Sequence, residues 1–310
     1  MRWLDLVKRD PVPWLLDPEN PSARYLTLQH IFKKTEETLA AERTRVLQWE
    51  PVQDLLQHWN RFNFWGRVYD PYFGSEVSNF GTLHLLGQMA VPRFPELEPV
   101  CENLLDIGRH GDGRFSPEDA RAAPWLCYTG MALKALHHFG YDEDLRVQSA
   151  RAALIQSIVL QPELLDCPMV GGSCRSGLVK ALDALLSIPA DRRTAEDEDA
   201  VGILAEQLLN DAYDWEGRDA DWLLPTFPRY YDSDVVELCH VLSQTPSRTH
   251  HRFEELVQHM VSLQTNQGRW RKMRATPALS VERIYHPSRW LTYEAVHTLM
   301  SVYGDSVYAA

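Results

Sequence analysis

Two carboxylates stand two residues apart in the sequence Asp232-Ser233-Asp234-Val235, whose last residue begins the apolar run VVELCHVL. Neighbouring carboxylates can push their pKa values apart, so that one stays protonated and serves as a general acid. The position also suits a helix cap, because an aspartate at a helix start accepts hydrogen bonds from free backbone amides and complements the helix dipole. The sequence therefore predicts either a catalytic pair or a cap.

Aromatic side chains and thiols occupy similar short stretches elsewhere, each directly before or at the start of an apolar helical run. These residues are Trp125, Cys127, Tyr128, Cys174, Tyr230, Tyr231 and Trp290. An aromatic-rich, apolar cavity suits a hydrophobic ligand, and aromatic faces stabilise a carbocation. Cys127 and Cys174 also sit where a helix start lowers a thiol pKa, although small buried thiols commonly serve only as packing.

For the remaining polar motifs the structural interpretation is favoured over the functional one. The basic run RWRKMR at 269–274 suits either a diphosphate or a solvated turn, and RDAD, with Asp219 and Asp221, is typical of a loop. The histidine pairs His137-His138 and His250-His251 fall at predicted helix ends, where imidazole complements the dipole. No metal-binding spacing is present, so the sequence predicts neither a metal nor another cofactor.

Composition narrows the class of protein. The chain has 310 residues, 45% of them hydrophobic, and a net charge of −12, which disfavours a nucleic-acid surface. Five cysteines follow neither a zinc nor a disulfide spacing, and no apolar run is long enough to span a bilayer. We expect a single domain over 1–310 in the cytoplasm, with no transmembrane segment; the sequence does not specify an oligomeric state.

A repeated phrase organises the chain. NPSARYLT at 20–27 returns as HPSRWLT at 286–292, and copies with the same helical offsets recur between them. The aligned register positions are residues 27, 78, 129, 175, 232 and 292. Runs that are apolar on one stripe, such as residues 253–263, lie between the repeated phrases, which are apolar nearly all round. This pattern predicts an all-α (α/α)6 toroid of six helical hairpins, with an inner and an outer ring, closed between the first and last units.

A short motif adds a family resemblance. SLQTNQGRW contains Gln264, Gly268 and Trp270 in the order Q-x-x-x-G-x-W, and HGDGRF at 110–115 and NFWG at 63–66 are partial echoes of it. The motif resembles the QW repeat of squalene and oxidosqualene cyclases, and the six hairpins resemble the α-toroid that those cyclases share with protein prenyltransferase β subunits. In those families the residues that open the inner helices line the mouth of a central cavity, so the resemblance implies that the seven aromatic and thiol residues named above are ligand-cavity residues. In physical terms the motif is a staple: the glycine turns the chain, the tryptophan plugs the core, and the glutamine holds helix-end groups.

The resemblance implies three functions. The first is a squalene or terpene cyclase-like enzyme that binds a hydrophobic, isoprenoid ligand and protonates it. By this resemblance the proton donor is Asp234, which corresponds to the middle acid of the D-x-D-D motif of class II terpene cyclases. Val235 stands where that motif has its last acid. The second is a non-catalytic toroid that binds a small apolar molecule or a protein. The third is a prenyltransferase-like subunit, which would need a zinc site and a partner subunit. Asp166, Cys167 and His286 are the available zinc ligands, without the D-x-C and H-x-x-Y spacings of that family.

Overall fold

The computed structural model describes residues 2–60, 64–72, 77–117, 125–160, 165–167, 172–211, 220–275 and 281–304. The regular structure of these residues is almost all helix, with only two short strands, which confirms the predicted all-α class. Asp219 lies outside the described residues, as does the first residue of the NFWG echo; the side chain of Asp166 is also outside them.

The helices follow one another in pairs along the chain. Their bounds are α1 Val12–Leu15, α2 Pro21–Leu26, α3 Glu36–Leu47, α4 Glu50–Gln57, α5 Asn79–Gln88, α6 Glu98–Ile107, α7 Leu126–His138, α8 Leu145–Leu160, α9 Arg175–Leu186, α10 Ala195–Asp211, α11 Val235–Leu242, α12 His251–Ser262 and α13 Arg289–Tyr303. A π-helical turn, Thr27–Ile31, continues α2. Two short antiparallel strands, β1 Asp166–Cys167 and β2 Gly172–Ser173, lie between α8 and α9.

Six helices, each at one copy of the repeated phrase, form the inner ring: α2 with its π turn, α5, α7, α9, α11 and α13. Their side chains are buried on nearly every side; in α5, residues 79–86 are all buried. Outer helices bury one stripe only, as α12 does with Phe253, Leu256, Val257 and Met260. The pattern of burial is the one that the apolar periodicity predicts.

Short polar side chains begin four of the inner helices. Asn20 accepts a hydrogen bond from Ala23 N at 2.9 Å, Ser78 from Gly81 N at 3.1 Å, and Ser288 from Leu291 N at 3.1 Å. Asp234 caps α11 by accepting bonds from two backbone amides. The capping interpretation of Asp234 is therefore confirmed. These caps satisfy helix amides that would otherwise be buried without partners.

The echoes of the Q-x-x-x-G-x-W stretch make equivalent contacts. Trp270 Nε1 donates to Met260 O near the end of α12 at 2.7 Å, and Trp65 Nε1 donates to Leu55 O near the end of α4 at 2.9 Å. Each motif is also tied to the next inner helix: Trp270 N donates to Thr292 Oγ1, Trp65 N to Asn79 Oδ1, and Phe115 N to Thr129 Oγ1. All three aromatic side chains are buried, so each plugs the junction between one outer and one inner helix.

The first and last units meet, as the repeated phrase predicts. Gln264 accepts a bond from Lys8 N at 2.7 Å and donates to Leu6 O at 2.9 Å. Trp290 Nε1 donates to Ser22 Oγ at 3.0 Å, which joins α13 to α2. Gly268 has a φ of +67°, and its α-carbon faces the backbone of Arg9. The staple therefore closes the ring as well as ending a helix.

Within the described residues, no helix combines the length and apolarity needed to cross a membrane.

Gly268→Ala should strongly destabilise the protein. A β-carbon there would overlap the carbonyl of Arg9 and would adopt a left-handed conformation, which together cost about 3 kcal/mol of unfolding free energy. Gly202→Ala is the matched control, because Gly202 is exposed in α10 with open space around it and should gain up to about 1 kcal/mol. Urea denaturation of both variants checks this; equal stabilities would contradict the closure at Gly268.

Candidate active site in the central cavity

The inner ring surrounds a cavity of about 630 Å³, and all six inner helices contribute to its wall. The wall is rich in ionisable groups. One such residue from each helix, in chain order, is His30, His84, Lys134, Asp183, Glu237 and Glu294. Glu237 and the aromatic Trp290 lie in the first turns of α11 and α13, whereas the other five ionisable residues lie at least one turn beyond their helix starts. The sequence predicts an aromatic, apolar cavity with few acids. The structure differs because most ionisable wall residues lie beyond the helix starts from which that prediction was made.

A buried arginine organises one side of the cavity. Arg229, only 1% exposed, donates Nε and Nη2 to both carboxylate oxygens of Asp234 at 2.7 and 3.1 Å. Nη1 and Nη2 also donate to both oxygens of Glu294 at 2.9 and 2.8 Å. Two bidentate pairs on one guanidinium are geometrically specific, so Arg229 fixes the start of α11 relative to α13.

The next buried pair joins α9 to α11. Lys180 Nζ lies 2.7 and 2.9 Å from the two oxygens of Glu237, and Ser233 Oγ donates to the same carboxylate at 2.7 Å. Burial opposes the charge on Glu237, but the charges of Lys180 and Arg229 outweigh it and lower its pKa to about 2. Glu237 is therefore a fixed negative charge at neutral pH.

Glu294 has the opposite shift. Burial raises its pKa above the ordinary value even though Arg229 favours the ionised form, and the negative charges of Asp234 and Glu237 add to the rise. The pKa values of Glu237 and Glu294 are thus displaced in opposite directions. Glu237 is a permanent charge, whereas Glu294 can carry a proton.

Three imidazoles stand together on the cavity wall. The ring centroid of His297 lies 5.8 Å from that of His30 and 5.1 Å from that of His240, and Tyr293 packs against all three. Burial lowers the pKa of each ring, to about 4 for His297. These imidazoles are neutral at pH 7, so each has one nitrogen that can accept a proton.

Several imidazole nitrogens on this wall have no hydrogen-bond partner among the described residues. They are His84 Nε2, His240 Nδ1 and His297 Nδ1, each shielded from bulk solvent. Burial, reinforced by the positive charges of Lys180 and Lys134, holds the pKa of His84 well below its usual value. Buried polar atoms normally have partners, so three such atoms on one cavity mark a binding surface.

An aromatic wall faces this polar region. Phe227 stacks on Trp290 with centroids 4.3 Å apart and planes 9° from parallel, and both line the cavity with Tyr25 and Tyr293. Trp290 is thus the one predicted ligand-cavity residue that the structure locates on this wall.

The other predicted residues gather at the N-terminal ends of the inner helices. Trp125 and Tyr128 have ring centroids 5.4 Å apart, and Tyr128 stacks on Phe80 at 4.9 Å. Tyr231 is 46% exposed, whereas Tyr230 is buried. None of Trp125, Cys127, Tyr128, Cys174, Tyr230 and Tyr231 is among the residues that line the central cavity. The structure brings Trp125 and Tyr128 together, but away from the ionisable wall.

The acid pair separates into two environments. Asp234 is buried and accepts bonds from Arg229, from Thr226 N at 2.8 Å and from the amides of Val236 and Glu237 at 2.9 and 3.0 Å. Asp232 is partly exposed and pairs with Arg274 at 2.5 Å. The two carboxylates therefore do not share a proton-binding site.

The helix-start thiols agree with the packing interpretation. Burial raises the pKa of Cys127 to about 12 and also raises that of Cys174, which is opposite to the lowering that a helix start can produce. Desolvation disfavours the thiolate more than the helix dipole favours it.

The other motifs also resolve into structural contacts. In the basic run, Arg269 stacks on Trp14 at 4.2 Å and Lys272 is buried, so these cations do not converge with Arg274 on one site. His250 begins α12, whereas His137 and His138 line the cavity. Within the described ranges, no group of three or more His, Cys, Asp or Glu side chains is arranged to hold a metal ion.

Several cavity residues were not predicted from the sequence: Arg229, Glu294, His30, His84, His240 and His297. A signal for them exists: His84, Glu294 and His297 are polar residues inside otherwise apolar inner helices, at helical spacing from the register positions. A buried helix that retains ionisable residues on one face marks a polar interior.

The His297 ring predicts a pH dependence of stability. Its folded pKa of about 4 lies below the unfolded value of 6.5, so the unfolded chain binds more protons as the pH falls, and stability is lost between pH 6.5 and about 4. His297→Asn should reduce that slope by up to about 1.4 kcal/mol per pH unit. Denaturation at pH 7, 6 and 5 measures it, with exposed His251→Asn as control. An unchanged slope in His297→Asn would contradict the buried, neutral ring.

Comparisons with known proteins give a distant structural likeness. No protein-family model and no curated protein matches the chain. Among solved structures, the type II terpene cyclase MstE from Scytonema, in its apo form, is 14% identical, covering 83% of this chain and 97% of that one with a TM-score of 0.32. A complex of an MstE variant with merosterolic acid A is also 14% identical, covering 87% and 100% with a TM-score of 0.32. A likeness of this size assigns no substrate and no residue role to the chain.

Proposed function

We propose that the protein is an enzyme whose active site is the central cavity, and that it transfers protons to and from a small molecule with both apolar and polar parts. One observation carries the proposal: His84 Nε2, His240 Nδ1 and His297 Nδ1 are buried on a single cavity without partners among the described residues. An unpaired buried polar atom costs about 1–3 kcal/mol, so a ligand that supplies the missing hydrogen bonds gains that free energy on binding.

The histidines suit proton transfer because burial keeps them neutral. A neutral imidazole accepts a proton at one nitrogen and donates one at the other, the ordinary requirement for general acid–base catalysis. His240 and His297 are adjacent, and proton transfer between ligand and ring requires only hydrogen-bond distance. We assign them the roles of base and acid.

Glu294 is the second candidate proton carrier. Because its pKa is raised, Glu294 binds a proton at a higher pH than an ordinary glutamate does. It lies one turn before His297 on α13. Glu237, with its pKa near 2, and Arg229 supply fixed charges instead. Fixed charges stabilise charge that develops on a ligand without reorganising during the reaction.

The apolar part of the ligand would lie on the aromatic wall of Phe227, Trp290, Tyr25 and Tyr293. A flat aromatic surface suits a hydrophobic chain, and an isoprenoid is the class that the cyclase-like motif implies. Aromatic faces would also stabilise a cationic intermediate. The finer proposal is thus a terpene cyclase-like or isomerase-like reaction on an isoprenoid that carries a polar group.

Asp234 enters this proposal as a positioning residue. Its oxygens accept bonds from Arg229 and from three backbone amides, so in this proposal it holds Arg229 and the start of α11 in place and is not the proton donor. Asp232, paired with Arg274, has no assigned catalytic role. A carboxylate held in this way orients Arg229 toward Glu294.

The test begins with the ligand. Native mass spectrometry of the purified protein, followed by organic extraction, identifies a co-purified molecule; thermal shifts against isoprenoid acids and alcohols provide a second route. The ligand is then incubated with the protein in deuterated water. We expect deuterium to enter a carbon position of the ligand or its product, because the histidines exchange their protons with solvent.

His240→Asn and His297→Asn should retain the fold and slow deuterium incorporation at least about 100-fold, the usual contribution of a general acid–base group. Exposed His251→Asn is the control and should leave the rate unchanged. Tight ligand binding without deuterium incorporation would contradict an enzyme and indicate a toroid that only binds its ligand. A native mass without any bound molecule, together with no thermal shift, would contradict a functional role for the cavity.

A further inference from the structure

Two cysteines flank the short antiparallel pair between α8 and α9. Cys167 ends β1 and pairs with Gly172 of β2, and Cys174 follows two residues later. Cys174 is still extended, with φ −116° and ψ 102°. Side chains of paired residues share a face of a ladder, and so do residues two apart on one strand. Cys167 and Cys174 therefore lie on the same face, diagonally across the ladder.

A third thiol approaches from the neighbouring inner helix. Gly177, in the first turn of α9, lies so close to α7 that a β-carbon on it would stand 3.3 Å from Leu126 Cβ and 3.7 Å from Cys127 N. The same point is 3.7 Å from Cys174 Cβ. Gly177 therefore lets the backbone at Cys127 approach the β-carbon of Cys174.

The titration of these thiols agrees with their proximity. After burial, the neighbouring thiols of Cys174 and Cys167 are the next causes that raise the pKa of Cys127. Cys174 is hydrogen-bonded to the side chain of Cys167, which also raises its pKa. The effects of neighbouring thiols on Cys127 and Cys174 agree with the proximity that the ladder and Gly177 indicate.

Accessibility distinguishes this pair from the other thiols. Cys167 and Cys174 are half-buried, whereas Cys101 and Cys239 are at most 1% exposed within the core. A small reagent can reach the pair without unfolding of the ring. None of the three clustered cysteines lines the central cavity, so the feature is independent of the proposed active site.

We propose that Cys167 and Cys174 form a reversible disulfide, with Cys127 as a third thiol that can exchange into it. The oxidant is a small-molecule disulfide. The Cys167 thiolate attacks it, forms a mixed disulfide and expels one thiolate; Cys174, on losing its proton, attacks Cys167 Sγ and expels the second. Two protein thiols are oxidised, one small disulfide is reduced to two thiols, and the protein's two protons pass to the thiolates released.

The disulfide would tie the end of β1 to the start of α9. It would close a loop at the N-terminal end of the inner ring, beside Tyr128, and would restrict the connection between an outer helix and the next inner helix. Disulfides stabilise a fold mainly by lowering the conformational entropy of the unfolded chain.

The test uses the full chain, reduced and then incubated at neutral pH with glutathione disulfide. Free thiols are alkylated under native conditions and the protein is digested with trypsin. Cys167 and Cys174 share one peptide, residues 152–175, because no lysine or arginine lies between them. We expect this peptide to lose two hydrogen masses and to resist alkylation at both cysteines, while Cys101→Ser behaves as wild type.

Cys174→Ser should instead retain glutathione on Cys167 or form a link from Cys167 to Cys127. Stable glutathione adducts on both Cys167 and Cys174 of the wild type, or a cross-link that forms only in denaturant, would overturn the proposal. Phenylarsine oxide provides a test without oxidation, because it bridges two adjacent thiols. Native protein should bind it at least about tenfold more tightly than Cys174→Ser, and equal affinities would also overturn the proposal.

Discussion

A single guanidinium, buried at the centre of the ring, determines much of the arrangement around it. Arg229 is paired at once with Asp234 at the start of α11 and with Glu294 on α13. Its backbone carbonyl also accepts a bond from Gln88 of α5 at 2.5 Å, and its amide donates to the same side chain at 3.1 Å. A buried arginine without these partners would carry a large desolvation cost, so the three inner helices must keep this geometry for the protein to fold.

The fixed charges around Arg229 also determine the state of the cavity. Glu237 is balanced by Lys180, and Lys134 forms an ion pair with Asp183, so the charged groups of the wall are compensated by one another. The imidazoles have no such compensation. Burial and neighbouring cations therefore keep His84 and His240, which line the cavity, uncharged. The wall combines permanent charges in fixed positions with neutral groups that can exchange a proton.

The architecture was predictable because it depends on local pattern. Apolar spacing distinguishes inner from outer helices, and the similarity of 20–27 to 286–292 reflects the contact between α2 and α13, as the bond from Trp290 to Ser22 shows. The staple at Gln264, Gly268 and Trp270 was predictable because its chemistry is carried by three nearby residues. The cavity was not, because Arg229 and Glu294 are 65 positions apart and only the closed ring brings them together. A turn of about 100° per residue also means that residues at the start of a helix indicate little about its middle.

The most direct test of the central claim is a crystal structure of the protein with the molecule that co-purifies with it or gives the largest thermal shift. The account predicts that the ligand lies in the central cavity, with its apolar part on Phe227 and Trp290 and a polar atom within hydrogen-bond distance of His240 Nδ1, His297 Nδ1 or His84 Nε2. A ligand seated instead at the aromatic cluster of Trp125 and Tyr128, with the imidazoles bonded only to water, would contradict it.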